Sequence, residues 1–366
     1  LCLRLIHKKR KTLQMKKALS VLVAIGLAFG LTACNPPMPP EVRAALEEQI
    51  IVCEAGSSQV LLPGAAVDQA ALWNDSLASD CPEMLLTDAA DLSSANLVAG
   101  FGTNSKEIAG AYAQIPFAVD AAVFLVNSSE MGAVALSPKA IAGILSGKIT
   151  NWNDPVIAAD NPNDIMPEQE ITLVTSTTYE ALNAMSSWIS RLLGEELDTG
   201  RLQATENSLA DEISNLPDGG IMLANYSANY EAAWLTANVL LEPVTEKLAE
   251  AAIGNFASAA TQWEFKLDGQ VATVQLNPEL PALPPQGIDI APEPYQAVFA
   301  VNLALVGQDE LVHRANARYL LRAASQSTLA GFNFVELPDA IRMKAIDFIS
   351  YGLTVPELDP ELIEGL

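Results

Sequence analysis

The chain has 366 residues, half of them apolar, and sets 20 Lys and Arg against 44 Asp and Glu for a net charge of −24. Every acidic residue lies after Cys34 and seven basic ones lie before it, so the chain from Cys34 onward holds 13 basic and 44 acidic side chains, a net −31. That balance excludes nucleic-acid binding, which needs clustered Lys and Arg. It leaves small anions open, because a bound oxyanion responds to donors within hydrogen-bond reach more than to charges beyond a screening length of about 8–10 Å.

The N-terminus reads as an address. Met15, Lys16 and Lys17 open a basic stretch, residues 18–30 form a small-apolar run, and Leu31-Thr32-Ala33-Cys34 has the form of a lipobox. The run falls short of the roughly 20 apolar residues a membrane span needs. The expectation is that residues 1–14 are an upstream extension of the reading frame and 1–33 are removed. Cys34 then carries a lipid, and the Pro-rich stretch 34–47 tethers the body to the extracytoplasmic face of a cell membrane. Of four cysteines, Cys53 and Cys81 remain, and in an exported chain such a pair is expected to form a disulfide. With no CxxC, and His313 as the only histidine after Cys34, neither a metal site nor a cofactor is expected.

Taken in order, 49–53 reads as a buried strand and 54–58 as a small-residue loop, followed by a helix over about 64–77 that contains Trp73. Strands are predicted at 84–86 and 97–99, and a long β-rich run over 115–127. Ser137 with Pro138 signals a helix start, Ile141, Ile144 and Leu145 form its buried stripe, and Gly147 ends it. A strand at 171–174, a helix over 179–193 and a strand at 219–225 follow. The prolines between 278 and 294 impose an extended connector, 295–303 reads as a strand, and helices are predicted over 309–324 and from 341 to 349. Strands alternating with helices imply an α/β fold with mainly parallel sheets flanked by helices.

The stretch SPKAIAGILSGKITNWNDP, residues 137–155, resembles the second-lobe signature of the PstS-type phosphate-binding proteins of ABC transporters, and GGIMLAN at 219–225 resembles a strand of the same family. The resemblance spans most of 48–350. It implies a two-lobe, type II periplasmic-binding-protein-like fold: lobe I from 48–116 plus 295–366, lobe II from 117–294, joined by two crossover segments. It further implies a monomeric, non-enzymatic substrate-binding lipoprotein that takes phosphate or a related small oxyanion and delivers it to ABC permease subunits.

The family's ligand loops map onto Gly56, Ser57 and Ser58; onto residues 87–91, which are acidic; onto Thr103, Asn104 and Ser105, where the family reads "FGASD"; and onto Ser176, Thr177 and Thr178, where it reads "R-x-D-G-S-G-T". Hydroxyls persist, but the expected Arg and Asp do not, and Lys106 is the replacement cation nearest in sequence. Losing them motivates an alternative, a two-lobe cell-envelope interaction or sensory protein, or a receptor for an uncharged ligand. Trp152 reads as a core anchor, and no catalytic residues are expected: the sequence lacks a GxSxG elbow, a Walker loop and an HExxH.

Overall fold

Strand β1 (Gly56–Leu61) occupies the segment predicted as a loop. Of residues 49–53, expected to hold the strand, 50–53 have no regular structure and residue 49 lies outside the described residues; Cys53 is joined to Cys81 by a disulfide with Cα atoms 5.4 Å apart. Burial explains the correction: Ser58, Val60 and Leu62 turn inward at the two-residue period of a strand, and a buried serine hid that alternation. The computed structural model describes residues 46, 50–62, 69–100, 110–242, 245–285 and 288–356. Every element below belongs to the compact unit Ile51–Pro356; of the other unit, Leu1–Ile50 with Glu357–Leu366, only Leu46 and Ile50 are described.

Helix α1 (Gln69–Asp80) buries Trp73 and Leu77 and leads to β2 (Met84–Asp88) and β3 (Leu97–Gly100). Both strands pair in parallel with β1. Strand β4 (Ala111–Asn127) is 17 residues long, buried over nearly its whole length, and changes partner midway. Its first part pairs antiparallel with β15 (Val298–Val306) and its last six residues with β9 (Gly220–Asn225). The two strand sets, expected as two lobes, thus share β4.

Between β4 and β9 run β5 (Ala135–Leu136), α2 (Pro138–Leu145), α3 (Pro155–Asp160), β6 (Thr172–Val174), β7 (Ser176–Thr178), α4 (Tyr179–Leu193), β8 (Gln203–Thr205) and α5 (Ala210–Ser214). After β9 come β10 (Leu235–Thr236), β11 (Asn238–Glu242), β12 (Lys247–Ala249), α6 (Ile253–Ala260) and the hairpin of β13 (Trp263–Asp268) and β14 (Val271–Leu276). Helices α7 (Leu311–Leu320), α8 (Ala323–Gln326) and α9 (Asp339–Ile349) follow β15. Parallel pairs include β2-β1-β3, β6-β9, β7-β8, β5-β11 and the contact of β14 with β4, while β15 pairs antiparallel with β3 and β4, and β4 with β9.

The signature stretch folds for the reasons its sequence gives. Ser137 caps α2, its hydroxyl accepting from the Ala140 N–H at 3.3 Å, and Ile141, Ile144 and Leu145 are buried. Gly147 turns the chain out of the helix at φ +74°. Trp152 is fully buried and donates from Nε1 to the Gly219 carbonyl at 3.1 Å, which anchors this segment to the start of β9. Helix α7 is buried from Val312 to Leu320, polar residues included.

Candidate functional site

A cavity of about 340 Å³ lies where α4 crosses the β13–β14 hairpin and the first half of β15. The helical wall is one stripe of α4, Glu180, Asn183, Ala184, Ser187, Trp188 and Arg191, spaced three or four residues apart so that all face the same way. The opposite wall comprises Trp263, residues 273–276, Gln296, residues 298–300 and Asn302. Trp188 is buried and packs on Tyr295 with ring centroids 4.6 Å apart, which fixes the floor.

Charge is distributed along this stripe. Arg191 lies eleven residues beyond Glu180, about 16 Å of helix rise. Its Nη2 donates to Gln296 Oε1 at 2.6 Å, and Gln296 Nε2 in turn donates to Gln262 Oε1 at 2.7 Å, so two amides hold the guanidinium. Among the described residues no carboxylate pairs with Arg191, and partial burial pushes its pKa down. Burial pushes the Glu180 carboxyl up; its own backbone N–H opposes that rise, and the negative charge of Glu206 adds to it. Asn302 is 5 % exposed, and its Oδ1 accepts no hydrogen bond from the described residues.

Most residues predicted from the sequence lie elsewhere. Gly56, Ser57 and Ser58 form the N-terminal end of β1, whereas ligands of such sheets sit outside the C-terminal strand ends, so the loop expected there is corrected. The Ser58 hydroxyl is already engaged: it lies 2.8 Å from His313 Nδ1 and accepts from Asn316 Nδ2 at 2.9 Å, with all three side chains buried. This serine–histidine pair is closed to solvent, and it packs α7 onto β1.

Ser176, Thr177 and Thr178 form β7 against β8 rather than a loop. Thr178 caps α4, accepting from the Ala181 N–H at 3.1 Å and donating to Asn225 Oδ1 at 2.6 Å, and Thr177 is fully buried. They deliver the chain into the helix that forms the cavity wall without lining it themselves. Thr103, Asn104, Ser105, Lys106 and Cys34 lie outside the described residues.

At the point where β4 exchanges partners sits Asp120, 1 % exposed. Its Oδ1 accepts from the Ala121 and Ser227 N–H groups at 2.8 and 3.1 Å, and its Oδ2 from the Ser227 hydroxyl at 2.6 Å. Burial pushes its carboxyl up to about 7 in spite of these donors. No group of His, Cys, Asp and Glu able to hold a metal ion occurs among the described residues, and none of their helices is long and apolar enough to cross a membrane.

The fold is similar to several solved structures. One is titled a putative phosphate ABC transporter substrate-binding protein with bound phosphate from Clostridium perfringens, 12 % identical, covering 77 % of this chain and 100 % of that one at a TM-score of 0.46. An ABC-type phosphate transport receptor from Vibrio cholerae is 12 % identical, covering 76 % and 100 % at 0.40. A phosphate binding protein from Stenotrophomonas maltophilia is 13 % identical, covering 79 % and 93 % at 0.44. No curated protein matches the chain by sequence. The family model described as a PBP superfamily domain matches residues 63–282, more than half of the chain, and this protein belongs to that family.

Proposed function

We propose that this protein is the extracytoplasmic solute-binding component of an ABC importer, a receptor that does not transform its solute and holds phosphate or a related oxyanion between two lobes. In this reading lobe I is 48–116 with 295–366, lobe II is 117–294, and Cys34 carries the lipid anchor. The observation that supports it is Arg191. In a chain with more than three acids for every base after Cys34, this partly desolvated guanidinium faces a cavity with amides, not carboxylates, around it. An anion arriving there meets a charge that no carboxylate among the described residues pairs with. A charge-assisted bond of this kind contributes about 1.5–3 kcal/mol, roughly tenfold to a hundredfold in affinity.

Calorimetric titration of the domain from residue 35 onward with phosphate, sulfate, molybdate and arsenate tests the reading. At least one anion is expected to bind, and Arg191→Gln to weaken it by tenfold or more. Absence of heat and of thermal shift with all four overturns it.

A second reading, an envelope interaction module or a receptor for an uncharged solute, draws on Glu180. That carboxylate occupies the first turn of α4, where an anion would otherwise find free backbone N–H groups. Unchanged anion affinity in the Arg191→Gln variant favours this second reading.

A further inference from the structure

We propose that Gln262, which does not line the cavity, is the residue that positions the Arg191 guanidinium, and that it does so by passing to Gln296 a polarity fixed by two carbonyls of the Pro-rich connector after β14. The inference rests on the anion reading above and names a further residue for the same site. Gln262 is 3 % exposed and sits between α6 and β13. Its Nε2 donates to the Pro278 and Leu280 carbonyls at 3.3 and 2.6 Å, and its own backbone carbonyl accepts from the Asn277 N–H at 2.9 Å. The connector that carries these acceptors is stiff: Pro278, Pro281, Pro284 and Pro285 fix φ, and Leu283 donates its N–H to Thr261 Oγ1 at 2.8 Å.

A carboxamide can be seated either way round, and the connector removes that choice. Both carbonyls accept and neither donates, so Gln262 turns Nε2 toward them and Oε1 away. Oε1 then requires a donor, which Gln296 supplies from Nε2 at 2.7 Å, and this leaves Gln296 Oε1 to accept from Arg191 at 2.6 Å. Carbonyl, amide, amide and guanidinium thus follow one direction from the connector to the cavity. One Arg191 N–H is used, and the others meet no acceptor among the described residues, so the relay holds the cation without neutralising it. Arg191 is exposed, and a long exposed side chain loses much rotamer freedom when it grips a ligand. A guanidinium already held in place loses less, which raises affinity.

Two measurements on the protein from residue 35 onward test the relay. In the absence of any anion, nitrogen-15 relaxation of the Arg191 Nε–H signal, identified by its loss in Arg191→Gln, reports the order of this side chain, and Gln262→Met and Gln296→Met are each expected to lower it. With the tightest binder among phosphate, sulfate, molybdate and arsenate, each of these two substitutions should weaken binding at least threefold. In the Arg191→Gln background, where no guanidinium is left to position, Gln262→Met should change affinity by less than about 1.5-fold. Gln262→Met keeps the length of the side chain, and the carbonyls it frees belong to exposed residues within reach of water, so the fold is expected to tolerate it. Gln296→Met cuts the relay at its other joint without touching the connector.

Unchanged order of Arg191 in Gln262→Met overturns the proposal whether or not an anion binds. So does a threefold loss that persists in the Arg191→Gln background, because Gln262 would then act on the fold and not through Arg191. If Arg191 loosens as expected but none of the four anions binds, the anion reading falls and the relay is upheld.

Discussion

Replacing Asp120 by Asn should change how stability depends on pH, with a sign that can be worked out in advance. Burial pushes the folded carboxyl up to about 7 from the ordinary 3.8, so the folded state holds the proton more tightly than the unfolded state. Stability is therefore highest in acid and declines as pH rises from about 4 to about 7, then levels off. Three pH units at 1.36 kcal/mol each set the fall at about 4 kcal/mol. Asn is suited to isolate this effect. Its carbonyl oxygen can keep both N–H donors that now converge on Oδ1, while its amide group takes the place of Oδ2 and donates to a rotated Ser227 hydroxyl. Urea unfolding of both proteins between pH 4.5 and 8 measures the difference, and every other titrating group cancels in the subtraction. The wild type should lose about 3 kcal/mol relative to the Asn variant across that window, the rest of the fall lying below pH 4.5, with equal m-values. Parallel profiles would refute the argument and show that the three donors hold the carboxylate ionised at little cost.

Further outcomes follow from other contacts. Replacing Cys53 and Cys81 together by Ser opens a loop with sequence separation 28 and should lower stability by about 3–4 kcal/mol in chemical unfolding, with no change in the native far-ultraviolet spectrum. Gly219→Ala places a Cβ 2.6 Å from the Glu170 carbonyl at φ +75°, so a loss of at least about 2 kcal/mol is expected; a neutral effect would show that β9 can shift to admit it. Trp152→Phe keeps a buried ring but removes one of the two hydrogen bonds of the Gly219 carbonyl, which retains the Thr172 N–H at 3.2 Å, for an expected loss of about 0.5–1.5 kcal/mol in thermal unfolding. Thr178→Val removes the cap of α4 and should cost about 1 kcal/mol whether or not a solute is present, which separates its capping role from any part in binding.

Much of the architecture was legible because the physics acts locally. Ser137-Pro138 fixes the start of α2, α4 spans the predicted 179–193, and the apolar run before residue 127 is too long and too β-rich to be anything but a buried strand. The misplacement of β1 has the opposite cause. Ser58 is buried because His313 and Asn316, more than 250 residues away, satisfy its hydroxyl, and no local pattern announces such a partner. The β13–β14 hairpin went unread, and with it one wall of the cavity.

The candidate site shifted for a related reason. A motif search looks for an Arg and an Asp within a few residues of the loop that opens α4, because sequence proximity is all it can score. A helix, however, carries one face through many turns, and the stripe from Glu180 to Arg191 brings a cation to the cavity three turns from the expected loop. Its signal was present in the chain as the periodic set 180, 184, 187, 191, but polar residues at helical spacing describe any solvated face equally well. What distinguishes this one is the far wall: Gln296 and Asn302, on or beside a strand more than 100 residues later, close over it. In the proposed reading, the identity of the solute depends on which groups β15 presents to α4. Arg191 comes to this cavity from the helix on one side of that crossing, and Asn302 from the strand on the other.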